Sequence, residues 1–275
     1  NRVSADKVFP IAQYFNQLQT LMAVFFPRAV TTASEAAVSI KRLEQFLCLE
    51  ENLPVKTQES VLTGQAVGMR EVTASWDKEA TSNVLRDINM TIESGKFCGL
   101  SGPVGSGKSS LIQLILGELR PLHGDLMVNG TVSYASQEPW LFVRSVRNNI
   151  LFGQPYEEQR YKDVVRACCL LKDFAQLPQG DKTLVGEQGT SLSGGQRTRI
   201  NLARAVYRKA DIYLFDDPLS AVNSHVARSI FEECFMDYLH GKTRILVTHQ
   251  VQYLKDVDYV IMLNNGAMVP EDISK

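Results

Sequence analysis

The sequence predicts an α/β fold: a largely parallel sheet covered by helices on both faces, preceded by a separate helical segment. Three observations carry this. Short apolar runs recur without alternation, as in KFCGL, IYLF and TRILV, which is how strands buried on both faces read. Helical patterns such as YEEQRYKDVVRACCLL and SHVARSIFEECFMDYL lie between them. A glycine-rich loop joins one apolar run to a helix.

Taken in order, residues 8–27 (VFPIAQYFNQLQTLMAVFFP) are long and apolar enough to attract attention as a bilayer span. Gln13, Asn16, Gln17 and Gln19 interrupt the apolar surface. Hydropathy therefore leaves two readings: an amphipathic helix in water, or a membrane helix whose polar face lines a cavity. In TTASEAAVSIKRLEQFL, Ala36, Ile40, Leu43 and Leu47 fall at helical spacing and predict an amphipathic helix. Residues 50–66 are polar, contain Pro54 and Gly64 and lack a period; they read as a linker between residues 1–49 and a domain over 67–275. In that domain INMTI alternates Ile88, Met90 and Ile92 like a half-buried strand. LMVNGTVSY reads as a hairpin turning at Asn129-Gly130.

Composition removes some functions. Of 275 residues, 44% are hydrophobic and 21% charged, which suits a well-cored globular chain. The net charge of −1 argues against a nucleic-acid surface, which needs a basic excess. The five cysteines (Cys48, Cys98, Cys168, Cys169, Cys234) show no paired metal spacing and read as reduced thiols. The chain begins at Asn1 rather than Met, as a piece of a longer protein would.

The chemistry begins at GPVGSGKSS, Gly102 to Ser110, which fits G-x-x-x-x-G-K-[ST]. The residues Gly102, Pro103, Val104, Gly105, Ser106 and Gly107 form a loop whose backbone N–H groups can turn inward at a helix N-terminus, making an anion nest. Lys108 adds a point charge for the β- and γ-phosphates, and Ser109 a hydroxyl for magnesium, with Ser110 next to it. A buried strand ending in an acid is the expected partner of such a loop. IYLF followed by Asp216 and Asp217 supplies one, with Asp216 placed to hold the metal. Read alone, either aspartate could equally cap a helix.

About twenty residues before that strand lies LSGGQRTRINLARAV, from Leu192. Ser193, Gly194, Gly195 and Gln196 offer a hydroxyl and unencumbered backbone N–H groups at the start of a helix. This is a second anion site without a lysine of its own, and one chain has little use for two such sites on one nucleotide.

Together these motifs resemble the ATP-binding-cassette (ABC) ATPases. The similarity covers about 67–270 and is closest to the first nucleotide-binding domain of the multidrug resistance-associated group, the C subfamily, through WDK, PVGSGKSSL, ILGEL, QEPWLFVRSVRNNILFG and LFDDPLSAV. The resemblance implies a RecA-like, mainly parallel core, an antiparallel β subdomain, and a helical subdomain carrying the signature. It implies ATP and Mg2+ as ligands. Trp76 takes the place of the aromatic that stacks on adenine, Gln137 that of the glutamine near magnesium and the attacking water, and His249 that of the histidine on the γ-phosphate. Lys108, Gln137, Asp217 and His249 are then the catalytic set, and Ser109, Gln137 and Asp216 the metal set.

The resemblance also implies partners. A second nucleotide-binding domain would pair head-to-tail, so that the signature closes on the other domain's phosphate loop. Transmembrane domains would place this domain on the cytoplasmic face of a polytopic membrane protein, expected at the plasma membrane. Residues 8–27 become part of a pore-lining helix, and a second membrane domain and second ATPase domain would follow Lys275. The activity implied is ATP hydrolysis coupled to export of organic anions or conjugated drugs. A channel or channel regulator of the same subfamily, gated by ATP, would carry the same motifs. A soluble ABC ATPase of translation or DNA repair is disfavoured by the upstream segment and the balanced charge.

Two positions depart from the family. Asp217 stands where most members have glutamate; it is one methylene shorter, a retreat of roughly 1.5 Å, and about 1 Å of misplacement can cost on the order of 100-fold in rate. The predicted result is a site that binds ATP and hydrolyses it slowly. Asn223 stands where the family has an acid, and its effect on the two sites' communication is left open by the sequence.

Overall fold

The computed structural model describes residues 5–49, 64–76, 83–186 and 192–269. The linker assigned to 50–66, except 64–66, lies outside them, as do Asp77 and Lys78 of WDK and the last six residues. The chain forms two units, Asn1–Leu53 and Pro54–Lys275.

The first unit is helical. Helix α1 (Ala5–Thr20) passes through a π-helical turn at Leu21–Phe25 into α2 (Phe26–Leu47). Ile40, Leu43 and Leu47, part of the stripe predicted at helical spacing, lie on α2 and are each more than 60% exposed. No helix among the described residues is long and apolar enough to cross a membrane.

The second unit holds two sheets. Strands β1 (Gln65–Ala74), β2 (Leu85–Glu93) and β4 (Pro121–Val128) form an antiparallel sheet in the order β2-β1-β4, and β1 begins within the stretch read as linker. The larger sheet has the order β5-β6-β7-β3-β8-β9, from β3 (Phe97–Ser101), β5 (Val132–Ala135), β6 (Ile212–Asp216), β7 (Thr243–Val247), β8 (Tyr259–Asn264) and β9 (Ala267–Met268). Every pair in it is parallel except β8–β9.

The pleat sorts each central strand between two cores. Cys98, Leu100, Ile212, Leu214, Ile245 and Val247 pack with β1, β2 and helix α3 (Lys108–Leu116). Phe97, Tyr213, Phe215 and Leu246 pack on the other face, with α4 (Val146–Leu151), α5 (Glu158–Ala167), α7 (Gly194–Tyr207) and α8 (Ser224–Ile230). Successive strand residues point to opposite faces, so a run apolar at every position fills both cores. Helix α6 (Leu171–Gln176) follows α5, and α8 runs on into a π-helical stretch, Phe231–Tyr238.

The hairpin expected at LMVNGTVSY does not form. Leu126–Val128 pair with β1, while β5 pairs in parallel with β6, so Asn129-Gly130 is an elbow between two sheets. The Asp211 carboxylate fixes it, accepting from the backbone N–H of Thr131 at 3.0 Å and from its hydroxyl at 2.8 Å. Gly130 sits at φ 114°, and a Cβ there would lie 2.8 Å from the Cβ of Asp211. Asn-Gly marks positive φ and cannot by itself say whether the chain doubles back. Gly130→Ala should therefore destabilise the domain by about 1–3 kcal/mol, read as a shift in the denaturant midpoint; an unchanged midpoint would show that the elbow is not constrained.

Candidate functional site

The phosphate loop leaves the carboxyl end of β3, which lies between β7 and β8. Gly102 has φ 148°, and a Cβ on it would lie 2.1 Å from the Leu263 carbonyl oxygen, so only glycine lets the loop leave the sheet there. Gly107, at φ 99°, precedes α3. The first helical bond of α3 runs from Leu111 N–H to Gly107 O at 2.9 Å, leaving the amides of Lys108, Ser109 and Ser110 ahead of it without helical acceptors. The Lys108 ammonium is buried and donates to the carbonyls of Gly102 (3.0 Å) and Pro103 (2.7 Å), curling over its own loop. Burial lowers its pKa, while Asp216 and Asp217 oppose that shift.

Asp216 ends β6 and Asp217 begins the turn after it; both are buried. Asp216 shares the strand face of Ile212 and Leu214, which is the face α3 covers. Burial raises its carboxyl, opposed by a hydrogen bond from Ser109; the neighbouring Asp217 charge raises it further, and Lys108 and a hydrogen bond from Tyr134 pull it down. Asp217 adopts φ 47°, a left-handed conformation that aspartate tolerates better than most residues. Its N–H donates to Val247 O at 3.1 Å, and its carbonyl accepts from the Ser220 hydroxyl at 2.8 Å. Its Oδ1 is buried without a hydrogen-bond partner.

Val104, Gly105, Gly107, Lys108, Ser109, Ser110, Gln137, Asp216, Asp217 and His249 line one cavity of about 270 Å3, joined by Val84 and Val247. Gly102, Pro103 and Ser106 lie outside its lining, and Val104 is almost wholly exposed. His249 stands two residues past the end of β7 rather than closing it. Trp76 is 56% exposed and its indole N–H donates to the Ser110 hydroxyl at 3.3 Å, which holds it at the first turn of α3. A larger cavity of about 790 Å3 lies between α8 with its π-helical extension and the turn Val251–Asp256, and contains none of the residues predicted from sequence.

The signature residues are not part of the phosphate cavity. They form a capping box at α7: the Ser193 hydroxyl accepts from Gln196 N–H at 3.3 Å, and Gln196 Oε1 accepts from Ser193 N–H at 3.0 Å. The amides of Gly194 and Gly195 open the helix and have no helical acceptor. Asn223 caps α8, its Oδ1 accepting from Val226 N–H at 2.9 Å.

Tyr134 is the site residue that no motif marks. It pairs with Leu214 across parallel strands and so shares the face of Asp216. Burial first, and then Asp216, raise its phenol to about 12, so it stays a hydrogen-bond donor at neutral pH. Only the strand register brings it there.

The residues fit a magnesium-bound nucleotide. The cavity brings together the buried Asp216 carboxylate, the Asp217 carboxylate with its unpartnered Oδ1, the Ser109 hydroxyl and the Lys108 ammonium. Comparison with known proteins agrees as well. The ABC transporter family profile matches residues 85–220. The chain is 46% identical over 267 residues to human ATP-binding cassette sub-family C member 4, covering 97% of this chain and 20% of that protein. It is 40% identical over 271 residues to human ATP-binding cassette sub-family C member 2 (98% and 17%) and 42% identical over 272 residues to ABC transporter C family member 8 of Dictyostelium discoideum (98% and 17%).

A phosphate loop on a parallel sheet, faced by a strand-terminal acid, defines a nucleotide-binding domain of the α/β class. The chain belongs to the ABC transporter family, within the C subfamily that includes the multidrug resistance-associated proteins, and is an ATP-binding domain of that family. It spans about a fifth of the length of the curated relatives it matches.

Because burial raises the Asp216 carboxyl, the folded state binds its proton more tightly than the unfolded chain, and stability falls as pH rises through the ordinary carboxylate range. Asp216→Asn should therefore raise the melting temperature of the ligand-free chain at pH 7 by a few degrees, a gain that disappears below about pH 4. The same variant should lose the added stabilisation that magnesium gives in the presence of ATP. A lower melting temperature at pH 7 would show that the carboxylate is compensated rather than strained.

Proposed function

We propose that this chain binds Mg2+-ATP in the cavity between α3 and β6, hydrolyses it slowly, and serves its partner's site through the signature at α7. Ser109, Gln137 and Asp216 would hold magnesium, which when bound neutralises phosphate charge. Lys108 and the loop amides would bind the β- and γ-phosphates, His249 the γ-phosphate, and Trp76 the adenine. Asp217 would orient the attacking water. In the parent protein this is the first of two head-to-tail ATP-binding domains. Residues 1–49 descend from a membrane domain, and the chain from Gln65 onward forms the cassette, on the cytoplasmic face. ATP-driven closure of the pair would couple to export of organic anions or conjugated drugs.

The observation that carries the slow-site reading is Asp217. Its backbone is fixed in a left-handed turn by the bonds to Val247 and Ser220, so the turn cannot advance to make up for the missing methylene. Its unpartnered Oδ1 marks a carboxylate in the cavity lining with an unused acceptor.

Two observations support the division of labour between domains. The signature residues lie outside the phosphate cavity, which favours a use on another nucleotide. The capping box holds the Ser193 oxygen as an acceptor while its proton remains available to donate.

Asp217→Glu tests the reading. With the second ATP-binding domain present, the variant's own site should turn over about 10-fold faster or more, with ATP affinity within about twofold of wild type. Equal turnover by wild type and variant would make this an ordinary ATPase site.

A further inference from the structure

The signature helix is held by a buried clamp whose carboxylate, Asp173, belongs to none of the motifs. Asp173, on α6, is 8% exposed, and Arg199, one turn along α7 from Gln196, has a side chain 13% exposed. The Arg199 guanidinium donates through Nε to Asp173 Oδ2 at 2.9 Å and through Nη2 to Oδ1 at 2.7 Å, a two-pronged pair. The same Asp173 Oδ1 accepts from Gln196 Nε2 at 3.3 Å. Gln196 thereby spends its oxygen on the Ser193 amide and its nitrogen on Asp173, so its rotamer is fixed at both ends. Gly195 completes the arrangement. A Cβ there would meet Arg199 Nη1 and the Ala221 carbonyl oxygen, each at 3.3 Å, and Val222 Cγ1 at 3.8 Å. The guanidinium and the loop that runs from Asp217 to Asn223 therefore leave little room for a side chain at the second glycine of the signature.

We infer that Asp173, through Arg199 and Gln196, is a positioning residue for the signature: it holds the Ser193–Gly195 donors in the geometry that the partner's nucleotide needs. Three features lead there. Bidentate Arg–carboxylate pairs fix orientation as well as charge. Desolvation offsets much of a buried pair's attraction, so net stability is a weak account of this one. The clamp is attached to the residue that closes the capping box, so loosening it releases the first turn of α7.

The inference rests on the proposal that the signature acts on a partner's nucleotide, and the test separates the two. Asp173→Asn keeps the shape and removes the charge; Arg199→Lys keeps the charge and removes the fork. Three quantities are measured on the full chain: ATP affinity at its own site, hydrogen exchange of the Gly194–Arg197 amides, and ATP turnover by the added second ATP-binding domain. Both variants should leave own-site affinity within about twofold and speed exchange of those amides about 10-fold or more. Both should lower partner turnover about 10-fold or more, Arg199→Lys less than Asp173→Asn. Should Asp173→Asn not fold, Arg199→Lys carries the test alone. Unchanged exchange, or unchanged partner turnover where wild type stimulates it, overturns the inference. Own-site affinity falling in parallel also overturns it, since that is general loosening. If wild type does not stimulate the partner at all, the proposal about the signature fails, and the exchange result alone decides whether Asp173 orders it.

Discussion

A buried parallel strand turns alternate side chains to opposite faces of its sheet, and the phosphate site depends on that pleat. Ile212, Leu214 and Asp216 share the face covered by α3, so the strand's last residue arrives against the helix that begins with Lys108 and Ser109. Shifting β6 by one residue would present Phe215 to Ser109 and bury the carboxylate among the aromatics of the other core. The apolar residues on both faces therefore do more than stabilise the sheet. They fix the register that makes a carboxylate, a hydroxyl and an ammonium meet, and β3, paired on both edges, fixes where the loop leaves.

That dependence explains what could be read from the sequence. The run from β3 through the loop to α3 was legible because each residue type answers a local demand: glycine where φ is positive, lysine and serine where a helix opens. Asp216 was legible because a polar residue ends an apolar run. The covering of both sheet faces followed from runs without alternation, and the two cores divide those runs residue by residue. The Asn129-Gly130 turn was visible as a turn but not in its direction, since the choice between hairpin and elbow is made by Asp211, eighty residues away.

Other features had no local signal. The left-handed backbone of Asp217 is imposed by Val247 on the neighbouring strand and by Ser220. Tyr134 reaches Asp216 only through the parallel register of β5 with β6. Asp173 belongs to no motif, and its partners lie 23 and 26 residues further along the chain. Asn223 stood out in the sequence only as a departure from an acid, and its capping of α8 through Val226 N–H appears only in the fold. The amphipathic pattern of α2 forms a helix as expected, and none of its described residues is buried.

The chain has two tryptophans, and they stand in unlike surroundings. Trp76 is tied by its indole N–H to the first turn of the phosphate-loop helix. Trp140 lies with Phe142 and Phe152 around the Arg204 guanidinium, 5.6 Å from its ring centre, a cation whose pKa burial lowers to about 10. A stacked base at Trp76 would quench one emitter, while the other responds to its cationic neighbour. The protein thus carries a pair of native optical probes, one beside the phosphate loop and one in the aromatic cluster, and each can be silenced singly by Trp→Phe.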